Sequence, residues 1–186
     1  MEDEKIVELY WQRSESALAE TQTKYGRYLN TVAQNILQSG EDAAECVNDA
    51  LLAAWNAIPP AKPQMLQTFL GKLVRNLALD KWRAQSAEKR GGGRVAEALD
   101  ELAELSDGND LAKSVAERLD FSALIGSFLS GLNEKDRLVF MKRYWHFMSV
   151  REIAEDLRLS ESNVRVILHR CRKILKTQLE KEGFES

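Results

Sequence analysis

Cationic and hydrogen-bonding side chains recur at helical spacing near the C-terminal end of this 186-residue chain, between positions 162 and 176. Side chains at the beginning of such a helix can reach base edges in the major groove of DNA, and cations further along it meet phosphates. These residue types in this pattern therefore predict a DNA-binding face. The candidate DNA-contacting residues are Ser162, Asn163, Arg165, Val166, His169, Arg170, Arg172, Lys173 and Lys176.

Two apolar faces on either side of a turn at Leu159-Ser160 predict that a helix-turn-helix presents these side chains. Ser160 is well placed as the N-cap of the second helix. Arg158 stands where such turns often have glycine, and a left-handed conformation there would cost about 1 kcal/mol. For this segment alone, an amphipathic helix pair with a basic outer face and no DNA role is the alternative. The apolar faces are Ile153, Ala154 and Leu157, then Val164, Ile167, Leu168, Cys171 and Leu175.

The net charge by itself argues against a nucleic-acid partner, because 26 basic residues stand against 29 acidic ones, which gives −3. The distribution along the chain indicates the opposite. Residues 66–94 have seven basic and two acidic residues, and residues 161–178 have five basic and one acidic. Residues 39–58 have four acids and no base, and residues 95–120 have eight acids and two bases. The presence of two basic helices separated by acidic segments is more informative about binding partners than the net charge of the whole chain.

Three apolar periodicities predict three helices in the N-terminal half. The first covers 25–37, and Asp42 with Glu45 resembles a capping box that begins the second. Three prolines between 59 and 63 predict a loop, after which the third helix runs from about 65 to 83. The residues expected to face inward are Val47, Leu51, Ala54 and Ile58 in the second helix and Leu66, Leu70, Leu73 and Leu77 in the third.

A change of composition divides the chain into two helical blocks. Residues 86–118 contain a triple glycine, an Asp-Gly pair and many acids, which predicts a flexible linker with at most one transient helix. We therefore predict an all-α protein with two small helical domains, 1–85 and 119–186, joined by a flexible acidic linker over 86–118.

Together the motifs resemble bacterial RNA polymerase sigma subunits. The stretch LNEKDRLVFMKRYWHFMSVREIAEDLRLSESNVRVILHRCRKIL, from Leu132, resembles their domain 4. Earlier, YGRYLNTVAQNIL, EDAAECVNDALLAAW and LGKLVRNLALDKWR resemble their domain 2 in the same order. The short chain, with only a linker between the domains, is similar to the extracytoplasmic-function (ECF) subgroup. Three positions depart from the family pattern: Asn48-Asp49 replaces a glutamine-acid pair, the loop after Ile58 is rich in proline, and Ile167 occupies a slot that is commonly basic.

The resemblance implies a role for each surface. The helix-turn-helix would bind the −35 promoter element, and domain 4 would also contact the polymerase β flap. The third helix would bind and help to melt the −10 element through Lys72, Arg75, Asn76, Asp80 and Arg83, with the loop over 57–65 near an extruded base. A row of Glu45, Asn48, Asp49 and Leu52 would grip the β′ clamp helices of core RNA polymerase. The linker would follow the RNA-exit path, and an anti-sigma factor is a further expected partner.

Other function classes receive little support from the sequence. It lacks the GxxxxGK[ST], HExxH and GxSxG motifs, so we expect no catalysis, cofactor or metal. The longest charge-free runs have 13 residues, too short to span a membrane, and the acidic N-terminal segment does not resemble a signal peptide. Two distant cysteines suit the cytoplasm. The alternatives are a stand-alone helix-turn-helix regulator, which would not need the N-terminal motifs, and a helical adaptor, which would not need the cationic sector.

Overall fold

The computed structural model describes residues 1–88, 93–103, 105 and 123–181, and in these residues every regular element is an α-helix. The chain divides into two compact units, unit 1 (Met1–Gly91) and unit 2 (Gly92–Ser186). The predicted all-α class is therefore confirmed. Within the described residues, no helix combines the length and apolar character needed to cross a membrane.

Unit 1 consists of α1 (Asp3–Trp11), α2 (Ser16–Leu37), α3 (Gly40–Ala57) and α4 (Leu66–Glu88). Helices α2, α3 and α4 pack against one another, and α1 packs on α2. Small side chains on the inner face of α3, at Ala43, Ala50 and Ala54, are fully buried and let its neighbours approach closely. The loop between α3 and α4 contains all three prolines, as predicted.

The helix boundaries of unit 1 differ from the predicted ones in three places. Helix α2 begins nine residues before the predicted stretch, and α1 was not predicted. The predicted capping box at the start of α3 is wrong, because the N-cap is Ser39, whose Oγ accepts a hydrogen bond from the Asp42 backbone N–H at 3.3 Å. Glu45 instead forms an ion pair with Lys81 on α4.

The buried face of α4 is broader than a single predicted stripe. Leu66 and Leu70 are buried as expected, but the series continues through Val74 and Ala78, while Leu73 and Leu77 are only half-buried. Because α4 packs against both α2 and α3, its buried sector spans two neighbouring rows of residues. Arg75 and Leu79 lie in the second row and are each 1 % exposed.

Unit 2 consists of α5 (Arg94–Ala103), α6 (Ala123–Gly131), α7 (Glu134–Tyr144), α8 (Val150–Leu157) and α9 (Glu161–Lys181). Its core contains three aromatic rings in series: the centroid of Phe140 lies 4.9 Å from that of Phe128 and 4.7 Å from that of Tyr144. All three side chains are at most 1 % exposed. Asn133 caps α7, with its Oδ1 accepting a hydrogen bond from the Asp136 backbone N–H at 2.9 Å.

The segment predicted as a flexible linker, 86–118, is partly helical. Helix α4 continues to Glu88, and residues 94–103 form α5, whose Val95, Ala98 and Leu102 are buried. Helix α5 is the one helix that the prediction allowed within this segment, and its apolar face is buried within unit 2. Residues 89–92, 104 and 106–118 of that segment lie outside the described residues.

We predict that replacing Arg158 with glycine stabilises unit 2. Arg158 is the C-cap of α8 in the left-handed region, with φ 53° and ψ 44°, as the turn position predicted. Glycine removes the Cβ conflict of that conformation, so we expect a gain of about 1 kcal/mol in the free energy of unfolding, measured by urea denaturation.

The matched control is Arg151→Gly, because Arg151 is an exposed arginine within α8. There the same substitution should destabilise by roughly 1 kcal/mol, since glycine is a poor helix former. A loss of stability in Arg158→Gly as well would contradict the assignment of strain to the turn.

Candidate nucleic-acid interface

Helices α8 and α9 form the predicted helix-turn-helix, and local hydrogen bonds fix both ends of its turn. A capping box begins α8: Ser149 Oγ accepts from the Glu152 backbone N–H at 3.1 Å, and Glu152 Oε2 accepts from the Ser149 backbone N–H at 2.7 Å. The Leu159 backbone N–H donates to the Ala154 carbonyl at 2.9 Å, which closes the turn after α8. Ser160 Oγ then accepts from the Asn163 backbone N–H at 3.1 Å, the cap predicted for α9. These contacts hold α9 as a separate helix directly after the turn.

The outer face of α9 carries most of the predicted DNA-contacting residues. Val164, Ile167, Leu168, Cys171 and Leu175 are buried as expected, so the opposite side of the helix faces solvent. Arg165 has a side chain that is 61 % exposed and forms a surface ion pair with Glu161 at 3.1 Å. Lys176 is half-buried. The other exposed members of this face are Ser162, Asn163, Val166, His169 and Lys173.

Two predicted DNA contacts on α9 are instead engaged within unit 2. Arg172 has a side chain that is only 17 % exposed, and its Nη1 donates to Tyr144 Oη at 2.8 Å and to Glu101 Oε2 at 3.3 Å. Arg170 donates to Oδ2 of the buried Asp136 at 2.6 Å, although half of its own side chain stays exposed. Arg172 therefore lies at the edge of the apolar face, where α7 and α5 reach it, and its role in DNA contact stays a prediction.

The polar side of α4 presents four of its five predicted residues at the surface of unit 1. Asn76 and Asp80 are exposed, and Lys72 is half-buried. Arg83 Nη1 donates to Asp80 Oδ1 at 2.9 Å, one helical turn away. These groups offer both donors and acceptors to a nucleic acid strand.

Arg75 does not share that surface, although the sequence analysis grouped it with the other four residues. It lies in the second buried row of α4 and is 1 % exposed. Burial, together with the charge of Arg83, lowers the pKa of Arg75 to about 10. At neutral pH it is therefore a buried cation within unit 1 and not a surface contact.

A cavity of about 450 Å³ opens between α1 and the proline-containing loop. Sequence reasoning did not find this feature because it did not predict α1, although the apolar spacing of Ile6, Val7 and Tyr10 was a usable signal. The exposed Trp11 offers an aromatic face. The lining residues are Asp3, Glu4, Val7, Glu8, Trp11, Lys62, Pro63 and Gln64.

The predicted row on α3 is exposed along its whole length. Leu52 is 58 % exposed, and Asn48 and Asp49 lie beside it at the surface. Glu45, the fourth member, joins Asp42 in holding Lys81, and the hydrogen bonds that this lysine donates to both carboxylates raise its pKa. An exposed leucine within polar and acidic neighbours has the composition of a protein-docking surface.

The described residues offer no sign of metal or thiol chemistry. They contain no group of three or more metal-binding side chains that could hold an ion. Both cysteines are buried, and burial raises the pKa of each thiol to about 11. The thiols are therefore protonated packing groups, as the sequence predicted for Cys171.

The capped helix-turn-helix, with its cationic outer face, defines a DNA-binding protein built from two helical units. Two sequence-family models match the chain: "Sigma-70 region 2" over residues 22–88 and "Sigma-70, region 4" over residues 122–175. An RNA polymerase sigma-E factor of Streptomyces avermitilis is 26 % identical over 157 residues, 83 % of this chain and 80 % of its own length. A sigma-E factor of Streptomyces antibioticus is 26 % identical over 148 residues, 78 % of this chain and 74 % of its own.

The two matched regions together cover well over half of the chain, one in each unit. The chain belongs to the sigma-70 family, and it is a sigma factor of the ECF type, which acts in transcription initiation. The alternative of a stand-alone helix-turn-helix regulator is not favoured, because it leaves the match of unit 1 to region 2 without an explanation.

Proposed function

We propose that this sigma factor binds core RNA polymerase and directs it to promoters through two separate DNA surfaces, without catalysing a reaction itself. The outer face of α9 recognises the −35 element. The polar side of α4 holds the −10 element and favours its melting, because a protein that binds single strands better than duplex shifts the opening equilibrium. The exposed row on α3 docks on the β′ clamp helices, and unit 2 contacts the β flap. We expect the whole sigma factor to act in the cytoplasm and to be bound and inhibited by an anti-sigma factor.

The observation that carries this proposal is the exposed outer face of α9. Arg165 and Val166 are 61 % (side chain) and 60 % exposed and are adjacent in the first turns of the helix. A guanidinium and an apolar side chain at these positions can read guanine and the thymine methyl group, respectively. A merely solvated helix face gains nothing from an exposed valine.

The direct test is assembly with core polymerase followed by transcription from linear DNA. Purified core enzyme that lacks a sigma subunit is mixed with the full chain and with a linear template library randomised at the −35 and −10 positions. We expect a stable complex and transcripts that start at a restricted set of sequences. Absence of a polymerase complex would contradict the proposal, and so would transcription that is independent of template sequence.

We predict that Arg165→Ala and Lys176→Ala separate base recognition from phosphate contact. Arg165→Ala should relax preference at one −35 position by about 1–3 kcal/mol. Lys176→Ala should weaken binding to all sequences alike and reduce the slope of log K against log salt by about one unit. Both are measured by fluorescence anisotropy with two DNA duplexes, one enriched from a randomised pool by binding to the wild-type protein and one with its sequence shuffled. A uniform loss of affinity in Arg165→Ala would contradict its role as a base reader.

The cavity beside the proline-containing loop suits an extruded base. Trp11 can stack on a base, and the carboxylates of Glu4 and Glu8 can accept hydrogen bonds from an exocyclic amino group. This arrangement supports the implied position of the loop near a base extruded from the −10 element.

A further inference from the structure

Helix α5 stands outside both family matches, yet it is an integral part of unit 2. The region 4 match begins at residue 122, whereas α5 covers Arg94–Ala103. Its Val95, Ala98 and Leu102 are at most 4 % exposed. The buried apolar face and the charged contacts of α5 therefore have to be explained from the structure of unit 2 itself.

One carboxylate on α5 joins two helices of the DNA-reading unit. Glu101 Oε1 accepts from Arg143 Nη2 at 2.8 Å, and its Oε2 accepts from Tyr144 Oη at 2.7 Å and from Arg172 Nη1 at 3.3 Å. Arg143 and Tyr144 end α7, whereas Arg172 belongs to α9. Arg143 is 2 % exposed, so Glu101 is the close counter-charge of a buried cation.

The other end of α5 is attached to the first helix of the helix-turn-helix. Arg94 Nη1 donates to Glu152 Oε2 at 2.8 Å and to Oε1 at 3.1 Å. Glu152 is the residue whose carboxylate closes the capping box of α8. Burial acts to raise the pKa of Glu152, but the hydrogen bonds from Ser149 and the charge of Arg94 outweigh it and hold the pKa below its usual range. Helix α5 therefore contacts α7, α8 and α9 through charged groups.

We propose that Glu101 is a positioning residue for −35 recognition: by joining Arg143 and Tyr144 to Arg172, it sets the orientation in which α9 presents Arg165, Val166 and His169 to DNA. The inference rests on the proposed function of α9. It assigns Arg172 to the support of the recognition helix and not to a phosphate. Base readout requires side chains held close to their productive geometry, so a shift of α9 reduces discrimination between sequences more than it reduces total affinity.

The test measures discrimination by the full chain, as the ratio of affinities for a duplex enriched from a randomised pool by the wild-type protein and for a shuffled duplex. The variants are Glu101→Gln, Arg172→Met and the double substitution. The control is Glu97→Gln on the same helix, since Glu97 lies 3.5 Å from Arg143 and its side chain is 69 % exposed. All affinities are measured at a temperature at which circular dichroism shows that each variant is folded.

We expect each single substitution to reduce the ratio about tenfold, the effect of one misplaced base contact, and the double substitution to add nothing further. Glu97→Gln should leave the ratio unchanged. If Glu101→Gln does not fold, Arg172→Met still tests the proposal, because it leaves Glu101 beside Arg143.

Three results would overturn the inference while leaving the proposed function intact. One is a uniform loss of affinity with a reduced salt slope in Arg172→Met, which would make Arg172 a phosphate contact. Another is tighter binding to both duplexes in Glu101→Gln, which would mean that α5 masks the DNA surface. The third is additive losses in the double substitution. Failure of the wild-type protein to enrich any sequence would instead contradict the proposed function itself.

Discussion

Replacing Asp49 with arginine is expected to weaken the association of the chain with core RNA polymerase by about 100-fold or more, because a like charge placed in a complementary interface costs several kcal/mol. Asp49 is exposed at the centre of the α3 row, next to the exposed Leu52. The substitution removes an acid from the surface and leaves the core of unit 1 untouched. Binding is measured by titrating labelled chain with purified core enzyme at fixed ionic strength.

The matched control is Glu15→Arg, a charge reversal of equal size at an exposed position before α2. It should change polymerase affinity only slightly, since it lies outside the row. DNA binding by unit 2 should be unaffected by either substitution. A similar loss of polymerase affinity in both variants would mean that net charge, and not the α3 row, governs binding.

Phe140→Ala is expected to destabilise unit 2 by about 3–5 kcal/mol, the usual cost of removing a buried phenylalanine. Phe140 is 1 % exposed and lies between the rings of Phe128 and Tyr144, so its removal leaves a cavity at the centre of the aromatic series. Urea unfolding followed by tyrosine and tryptophan fluorescence gives the stability. DNA binding should be lost at temperatures where the wild-type protein still binds.

Leu138→Ala provides the comparison on the same helix, because Leu138 is 43 % exposed. It should cost much less than Phe140→Ala, since its side chain is only partly removed from water when the chain folds. Equal destabilisation by the two substitutions would contradict the assignment of Phe140 to the core of unit 2.

The helix-turn-helix could be predicted from the sequence because each of its determinants is local. Ser160 lies next to the helix that it caps, and the apolar residues of α9 repeat at helical spacing within one segment. Even the left-handed conformation of Arg158 follows from its position in the turn. The exposed row on α3 could be predicted in the same way, because it lies on the helix face opposite an apolar stripe that is visible in the local sequence.

The sequence could not reveal the features that depend on contacts between distant segments. Arg75 is buried because α4 packs on two helices at once, and no local pattern distinguishes it from the surface residue Lys72. The sequence groups Arg172 with the cationic sector, and only the folded unit brings Glu101, 71 residues earlier, beside it. The sequence places α5 in an acidic segment, and its contacts with Arg143, Tyr144 and Glu152 form only in the folded unit 2.

The ion pairs of Lys81 have a mechanical consequence. Lys81 belongs to α4 and holds Asp42 and Glu45 on α3, so the proposed DNA helix and the proposed polymerase-docking helix share one charged bridge as well as a common core. In the proposed function, the DNA-binding helix and the polymerase-docking helix are therefore parts of one packed unit. A force on the promoter strand at α4 would therefore be transmitted to core polymerase through unit 1 itself. The polymerase would then bear the strain of separating the DNA strands.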